Sequence, residues 1–329
     1  MSEYDVSFPA MGSEIRLLIG EPLEPGVPGP EEAAARARQY VEQFDARLSR
    51  FRADSELCAL NADPREEVPA SALLRAAVSA GLWAAERTEG LVDPTLIGQL
   101  EAAGYRESLK NVAPAPLAAA LACAPDRQAA RPHPDVAWRQ VSVDDAGGSI
   151  RRPPGVRIDS GGAGKGLCAD AVAHMLAGYS RCVVDCGGDM RIGGAAAAEV
   201  PYSVEIQHPL SGECAASVPV GSGGIATSCI DSRAWLTDDG RFAHHLLDPS
   251  TGRSAWTGLI SATALGDSAL EAETLAKAAL LSGAVAARRL LRASGGAIVF
   301  ETGRVELIGP LRQEPLMHVR LAALKQVAA

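Results

Sequence analysis

The chain has 329 residues, 47% of them apolar and 22% charged, with a net charge of −9. That length holds a large core, in one domain or in two intimately joined lobes. The acidic balance argues against a nucleic acid or an anionic membrane as partner, because either needs a basic face. The densest basic patch, Arg288, Arg289 and Arg292, reads as the solvated face of a helix.

The opening run MSEYDVSFPAMGSEIRLLIG has no basic stretch followed by an apolar one and no lipobox cysteine, so no signal peptide is expected. No apolar run reaches the roughly 18 residues of a membrane span, and the expected location is the cytoplasm. Seven cysteines (Cys58, Cys123, Cys168, Cys182, Cys186, Cys214, Cys229) form an odd set with no C-x-x-C pair. They read as small buried hydrophobes in a reducing compartment rather than as disulfides or a zinc site.

In chain order, residues 4–20 alternate enough for an opening strand. Residues 31–50 predict a helix, alanine-rich with Val41, Phe44 and Leu48 at helical spacing. A second helix follows Pro69 and Ala70 through Arg87. Residues 112–135 read as a helix and then a surface loop. VAWRQVSVDD and GVRIDSGG predict a hairpin around an arginine-proline turn. Residues 164–178 predict a helix with Leu167, Val172 and Met175 on one face. RCVVDCGGDMRIGG is a strand ending in a glycine turn, and YSVEIQHP is a strand stopped by Pro209. Strands are expected at 216–226, at 242–247 and in TGLISATALGDS. A strong helix, ALEAETLAKAALLSG, is expected to end at Gly283. A further helix to about Ala293, then GAIVF and RVELIG, close the chain. Strand runs interrupted by helices, without strict βαβ repetition, predict an α+β fold: one compact, two-lobed domain of mixed sheets with flanking helices, undivided over residues 1–329.

Five segments carry chemistry. In IDSGGAGKGLCAD (158–170) a glycine turn with Lys165 enters a helix, a natural seat for a phosphate. It is neither a P-loop, since Gly166 stands where a hydroxyl is required, nor a dinucleotide fingerprint, since G-x-G-x-x-G is missing. In AHHLLDPSTGR (243–253), His244 and His245 offer proton transfer near neutral pH, or simply a strand with one buried histidine. In EGLVDPTLIGQL (89–100), Asp93-Pro94-Thr95 alone reads as a helix start with Asp93 as N-cap. In CVVDCGGDMRIGG, Gly187 and Gly188 allow close backbone approach. Glu273 and Lys277 are spaced for a surface ion pair.

Together and in this order, these runs resemble the FAD:protein FMN transferase (ApbE) family. The matching segments are FPAMGSEI (8–15), LSRFRADSELCALN (48–61), GLVDPT (90–95), IDSGGAGKGLCAD (158–170), VVDCGGDM (183–190), YSVEIQHP (202–209), IATSCIDSR (225–233), HHLLDPSTGR (244–253) and the helix at 270–283. The resemblance implies an ApbE-like, T-fold-related architecture. It implies transfer of FMN from FAD to a threonine hydroxyl of an acceptor protein, with AMP released and Mg²⁺ assisting. It implies catalytic roles for His245 and Lys165, and FAD contacts at Met11, Phe51, Arg52, Asp93, Lys165, Leu167, His245 and Leu246. Metal contacts are implied at Gly164, through its carbonyl, and at Glu273. No nucleic acid and no membrane insertion are expected, and the chain is expected to be a monomer or homodimer.

This sequence departs from the family pattern in places. The metal helix usually reads Ala-Asp-x-x-x-Thr; here it is Ala272-Glu273-x-x-x-Lys277, and an ammonium has no lone pair for a metal. Ser228-Cys229 replaces Ser-Gly, and Ser13 stands where Thr is frequent. Two alternatives stay open: an FAD pyrophosphatase giving FMN and AMP, and a non-catalytic flavin-binding protein motivated by Lys277.

Overall fold

A computed structural model describes residues 3–109 and 112–312. Its frame is an eight-stranded sheet whose strands lie side by side in chain order: β1 (Tyr4–Ala10), β2 (Ser13–Ile19), β3 (Cys182–Cys186), β4 (Met190–Gly193), β5 (Gly223–Cys229), β6 (Leu259–Gly266), β7 (Gly296–Phe300) and β8 (Val305–Ile308). Every neighbouring pair is antiparallel. The opening strand expected at 4–20 is therefore a hairpin. Met11 (φ 54°) and Gly12 (φ 68°) form its two-residue turn, the left-handed geometry that matches strand twist.

The helices are α1 (Pro30–Leu48), α2 (Glu56–Ala62), α3 (Ala72–Arg87), α4 (Ile97–Ala102), α5 (Leu117–Cys123), α6 (Gly164–Met175) and α7 (Ala269–Leu290). Strand periodicity decides which side of the sheet each residue serves. Ile15, Leu17 and Ile19 of β2 pack with Phe44 of α1 and Val172 of α6 in the largest core cluster. Leu18, between them, faces the other way with Val183, Ile192 and Ile225, beneath the hairpin Tyr202–Gln207/Cys214–Val220. Helix α7 covers β5 and β6, with Ala276, Ala279 and Leu280 buried against Ala262 and Ala264. Among the described residues no helix is long and apolar enough to cross a membrane. Helices packed on an antiparallel sheet bear out the α+β class.

Three local expectations need correction. The hairpin predicted around the arginine-proline turn is instead Ser142–Asp144 paired with Ser149–Arg151, and residues 137–140 form a 3₁₀ turn. GVRIDSGG forms no strand because other groups take its backbone. Asn61 brackets Ile158, accepting its N–H at 2.7 Å and donating to its carbonyl at 2.9 Å, and Asp159 N–H donates to Pro94 O at 2.7 Å. The single strand expected at 216–226 is split between the hairpin and β5. On α6, Val172 is buried as expected, but Met175 is 45% exposed. The break at Gly283 is present (φ 72°, ψ 169°), and α7 resumes beyond it.

Candidate active site

A cleft of about 1500 Å³ opens where the β1–β2 turn, the loop before α6, the β3–β4 turn and the middle of α7 converge. Two close approaches build it. A Cβ on Gly166 would stand 2.6 Å from Ala269 O and from Leu270 N, so only glycine lets α6 and the start of α7 meet. A Cβ on Gly187 would stand 2.5 Å from Ser13 Cβ and Oγ, so the β3–β4 turn lies directly against the β1–β2 turn. Asp170 ties α6 to α7, accepting from Ala269 N at 2.8 Å and Leu270 N at 2.9 Å as a cap for the α7 start.

Lys165 sits in the first turn of α6 and reaches into this cleft. Its ammonium donates to Gly187 O at 3.2 Å and lies 3.6 Å from Asp189 Oδ2. The amides around it are largely engaged by the chain itself. Gly161 N–H donates to Asp159 Oδ1, Ala163 and Gly164 N–H to Ser160 O, and Gly166 N–H to Glu273 Oε2. Anion attraction here thus rests on the Lys165 side chain more than on a backbone cradle.

Against the same turn, Glu273 of α7 is 1% exposed. Its Oε2 accepts from Gly166 N at 2.8 Å and its Oε1 from Lys277 Nζ at 2.7 Å. Burial pushes the Glu273 carboxyl up; the Lys277 charge pulls it down and that of Asp189 adds to the rise. Two carboxylates, Asp189 and Glu273, are thus faced by two ammonium groups, Lys165 and Lys277. Behind them Asp185, at the end of β3, accepts from Gly188 N at 2.7 Å. Burial raises the Asp185 carboxyl to about 6, with Asp189 adding and Lys165 and Arg16 opposing.

The two histidines separate into different tasks. His244 is 1% exposed, stands edge-on to Trp256 at 4.8 Å, and takes Leu246 N–H on Nδ1 at 3.3 Å. Burial pushes it down to about 3, so it is a neutral core residue. His245 lines the cleft, and its Nδ1 has no hydrogen-bond partner among the described residues. Burial lowers its pKa well below the usual value, and the charges of Arg233, Lys277 and Lys165 act in the same direction. At neutral pH it is an uncharged imidazole on the cleft, with Arg233, Lys277 and Lys165 near it.

The ApbE family profile matches residues 11–300. This chain belongs to the ApbE family. It is 28% identical to the FAD:protein FMN transferase of Salmonella typhimurium over 277 residues, covering 81% of this chain and 76% of that one. The Klebsiella pneumoniae FAD:protein FMN transferase is 29% identical over 277 residues, covering 82% and 76%. Among solved structures, the ApbE protein of Thermotoga maritima superposes with a TM-score of 0.75 at 24% identity, covering 93% of this chain and 97% of that one. The flavin transferase ApbE of Vibrio cholerae gives 0.71 at 20% identity, with 94% and 98% covered. These likenesses confirm the ApbE fold.

Of the residues that the ApbE pattern singled out, Met11, Phe51, Arg52, Asp93, Gly164, Lys165, His245, Leu246 and Glu273 all line the cleft. Phe51 is 38% exposed and its ring lies 5.5 Å from Tyr105, with the Arg50 guanidinium 4.1 Å over it. Arg52 pairs with Asp54 at the rim. Asp93 does not cap a helix, since α4 starts at Ile97; its Oδ1 accepts from Thr95 N at 2.8 Å and Thr95 Oγ1 at 2.5 Å. Leu246 is mostly core, packed near Trp256. Leu167 does not line the cleft; it packs against Ala80, Ala84, Val92 and Ala163. Cys229, in place of the usual glycine, donates its thiol to Ile260 O at 3.1 Å.

At the metal corner of the ApbE pattern the side chains are engaged with one another. Both Glu273 oxygens are bound within the chain, and the Lys277 ammonium sits where a divalent ion would need Glu273 and a hydroxyl. Among the described residues no group of three or more His, Cys, Asp or Glu is arranged to hold a metal. Hard oxygen ligation finds no free oxygen on Glu273, and the Lys277 ammonium beside it repels a dication. The residues present therefore do not fit Mg²⁺ at Gly164 and Glu273.

Asp185, Asp189 and Arg233 were not singled out as site residues. The signal available was Asp185 and Asp189 spaced four apart around two glycines, and Arg233 closing the IATSCIDSR run.

Proposed function

We propose that this chain transfers FMN from FAD to a threonine hydroxyl of an acceptor protein, releasing AMP, and that the whole chain acts as one transferase unit. The observation that carries the reading is the meeting of Lys165, Lys277 and an unpartnered neutral His245 on one cleft in a member of the ApbE family. The names of its curated relatives support the flavin chemistry.

The reaction is a phosphoryl-type transfer. The acceptor oxygen attacks the phosphorus on the FMN side of the FAD pyrophosphate. A P–O–P bond breaks, a P–O–Cβ linkage forms, and AMP departs with the electron pair. Catalysis of such a step is mainly positioning and charge stabilisation. Lys165 supplies fixed positive charge beside the first turn of α6, where the pyrophosphate would lie. His245 accepts the hydroxyl proton. Burial lowers its basicity most, and the cations near it lower it further. Bound pyrophosphate offsets those cations, so the imidazole becomes a better acceptor once substrate is present. Phe51 offers a ring face for a flat group at the cleft mouth.

The test is to mix protein, FAD and an acceptor bearing the target threonine, and then to follow flavin fluorescence on the denatured acceptor band. Label that vanishes when the acceptor threonine is changed to alanine supports transfer. Free FMN with an unlabelled acceptor would show that water is the nucleophile instead.

A further inference from the structure

Helix α7 places a lysine one turn beyond a buried glutamate, both directed at the substrate cleft, and this pairing leads past the reaction itself. We propose that the Lys277 ammonium is the resident cation of the site, so that the chain takes the pyrophosphate of its dinucleotide substrate without a divalent metal ion. The inference rests on the flavin-transfer reading and specifies how that site is charged.

Four observations carry it. The Lys277 Nζ to Glu273 Oε1 distance of 2.7 Å is that of a charge-assisted hydrogen bond. The other carboxylate oxygen is held by Gly166 N at 2.8 Å, so Glu273 is anchored to the first turn of α6, beside Lys165. Both residues line the cleft, and the Lys277 side chain is 13% exposed against 1% for that of Glu273, so the lysine is the more accessible of the pair. An ammonium has three N–H donors and no lone pair; one goes to Glu273, leaving two for phosphoryl oxygens.

A divalent ion would have to displace this ammonium or sit against it. A buried Glu273 left without its partner is strongly unfavourable, which holds Lys277 in place before substrate arrives. The positive charge is then part of the fold rather than delivered with the nucleotide. With Lys165 on the adjoining turn of α6, two fixed ammonium groups line the place where the pyrophosphate would lie.

The measurement is direct binding of FAD, ADP and inorganic pyrophosphate to the full chain, by calorimetry or flavin fluorescence, in EDTA and in Mg²⁺. Wild type is expected to bind FAD with a Kd that differs by less than about twofold between the two conditions, within about 0.4 kcal/mol. Lys277→Arg keeps the charge and is expected to stay insensitive to EDTA. Lys277→Thr frees a Glu273 oxygen and adds a hydroxyl; it is expected to weaken about tenfold or more in EDTA and to recover most of that in Mg²⁺. Wild-type binding of FAD that collapses in EDTA would overturn the proposal while leaving the flavin reading intact, as would a Lys277→Thr protein that binds in EDTA as wild type does. Binding of ADP and pyrophosphate in EDTA without binding of FAD would sustain the built-in cation and sink the flavin reading.

Discussion

At the scale of single residues, the site is set by where charge is buried. Asp185 has its carboxyl raised to about 6 from 3.8, chiefly by burial. An acid whose folded value exceeds its unfolded value favours the fold below the unfolded value, and that contribution is lost as pH rises through about 6. Asp185→Asn can still accept from Gly188 N–H, so at pH 7 it is expected to stabilise the protein by roughly 2–3 kcal/mol, with the gain gone near pH 4. Urea unfolding at both pH values checks this; parallel offsets at pH 4 and pH 7 would contradict it. His245→Ala is expected to lower the transfer rate by about 10²–10⁴ while leaving FAD affinity within a few-fold, because it removes a proton acceptor rather than the main charge. An equal loss in affinity and rate would assign His245 to binding alone. At this scale the sequence was informative where a residue type is scarce and chemically committed, as with His245 and Lys165. It misled at Leu167, whose helical position was right but whose face was decided by packing against α3.

At the scale of elements, contact between α6 and α7 decides whether Lys165, Glu273 and Lys277 share a cleft. Gly166→Ala puts a Cβ 2.6 Å from the backbone of Ala269 and Leu270, which cannot yield as a flexible side chain would. The expected cost is about 2–3 kcal/mol, with FAD binding weakened because α6 must shift. Gly162→Ala, whose Cβ finds only Val92 Cγ1 at 3.5 Å, is the comparison and is expected to melt close to wild type. Thermal melts of the pair decide the matter; equal melting temperatures would show that the helices have room to spare. Elements with strong local signals were legible: α1 from its apolar spacing, and the break in α7 from Gly283. The false strand at GVRIDSGG shows the limit. Its alternation suits a strand, yet the Asn61 side chain claims its backbone from a distant segment, which no local pattern announces.

At the scale of the whole molecule, the order of strands is simple but its closures are remote. β2 pairs with β3 across all the helices from α1 to α6, and the only trace in sequence is that both runs are apolar enough to be buried. Family resemblance, spread over motifs from Phe8 onward, carried more of the architecture than periodicity did. The chain is acidic overall, at −9, and the cleft sets Lys165, Lys277 and Arg233 among carboxylates such as Asp189 and Glu273. The most direct measurement of the central claim is intact mass of an acceptor protein after incubation with this chain and FAD, with AMP quantified in the same sample. The expected result is one FMN added at a threonine for each AMP released. An unmodified acceptor, with FAD either intact or split into free FMN and AMP, would contradict it.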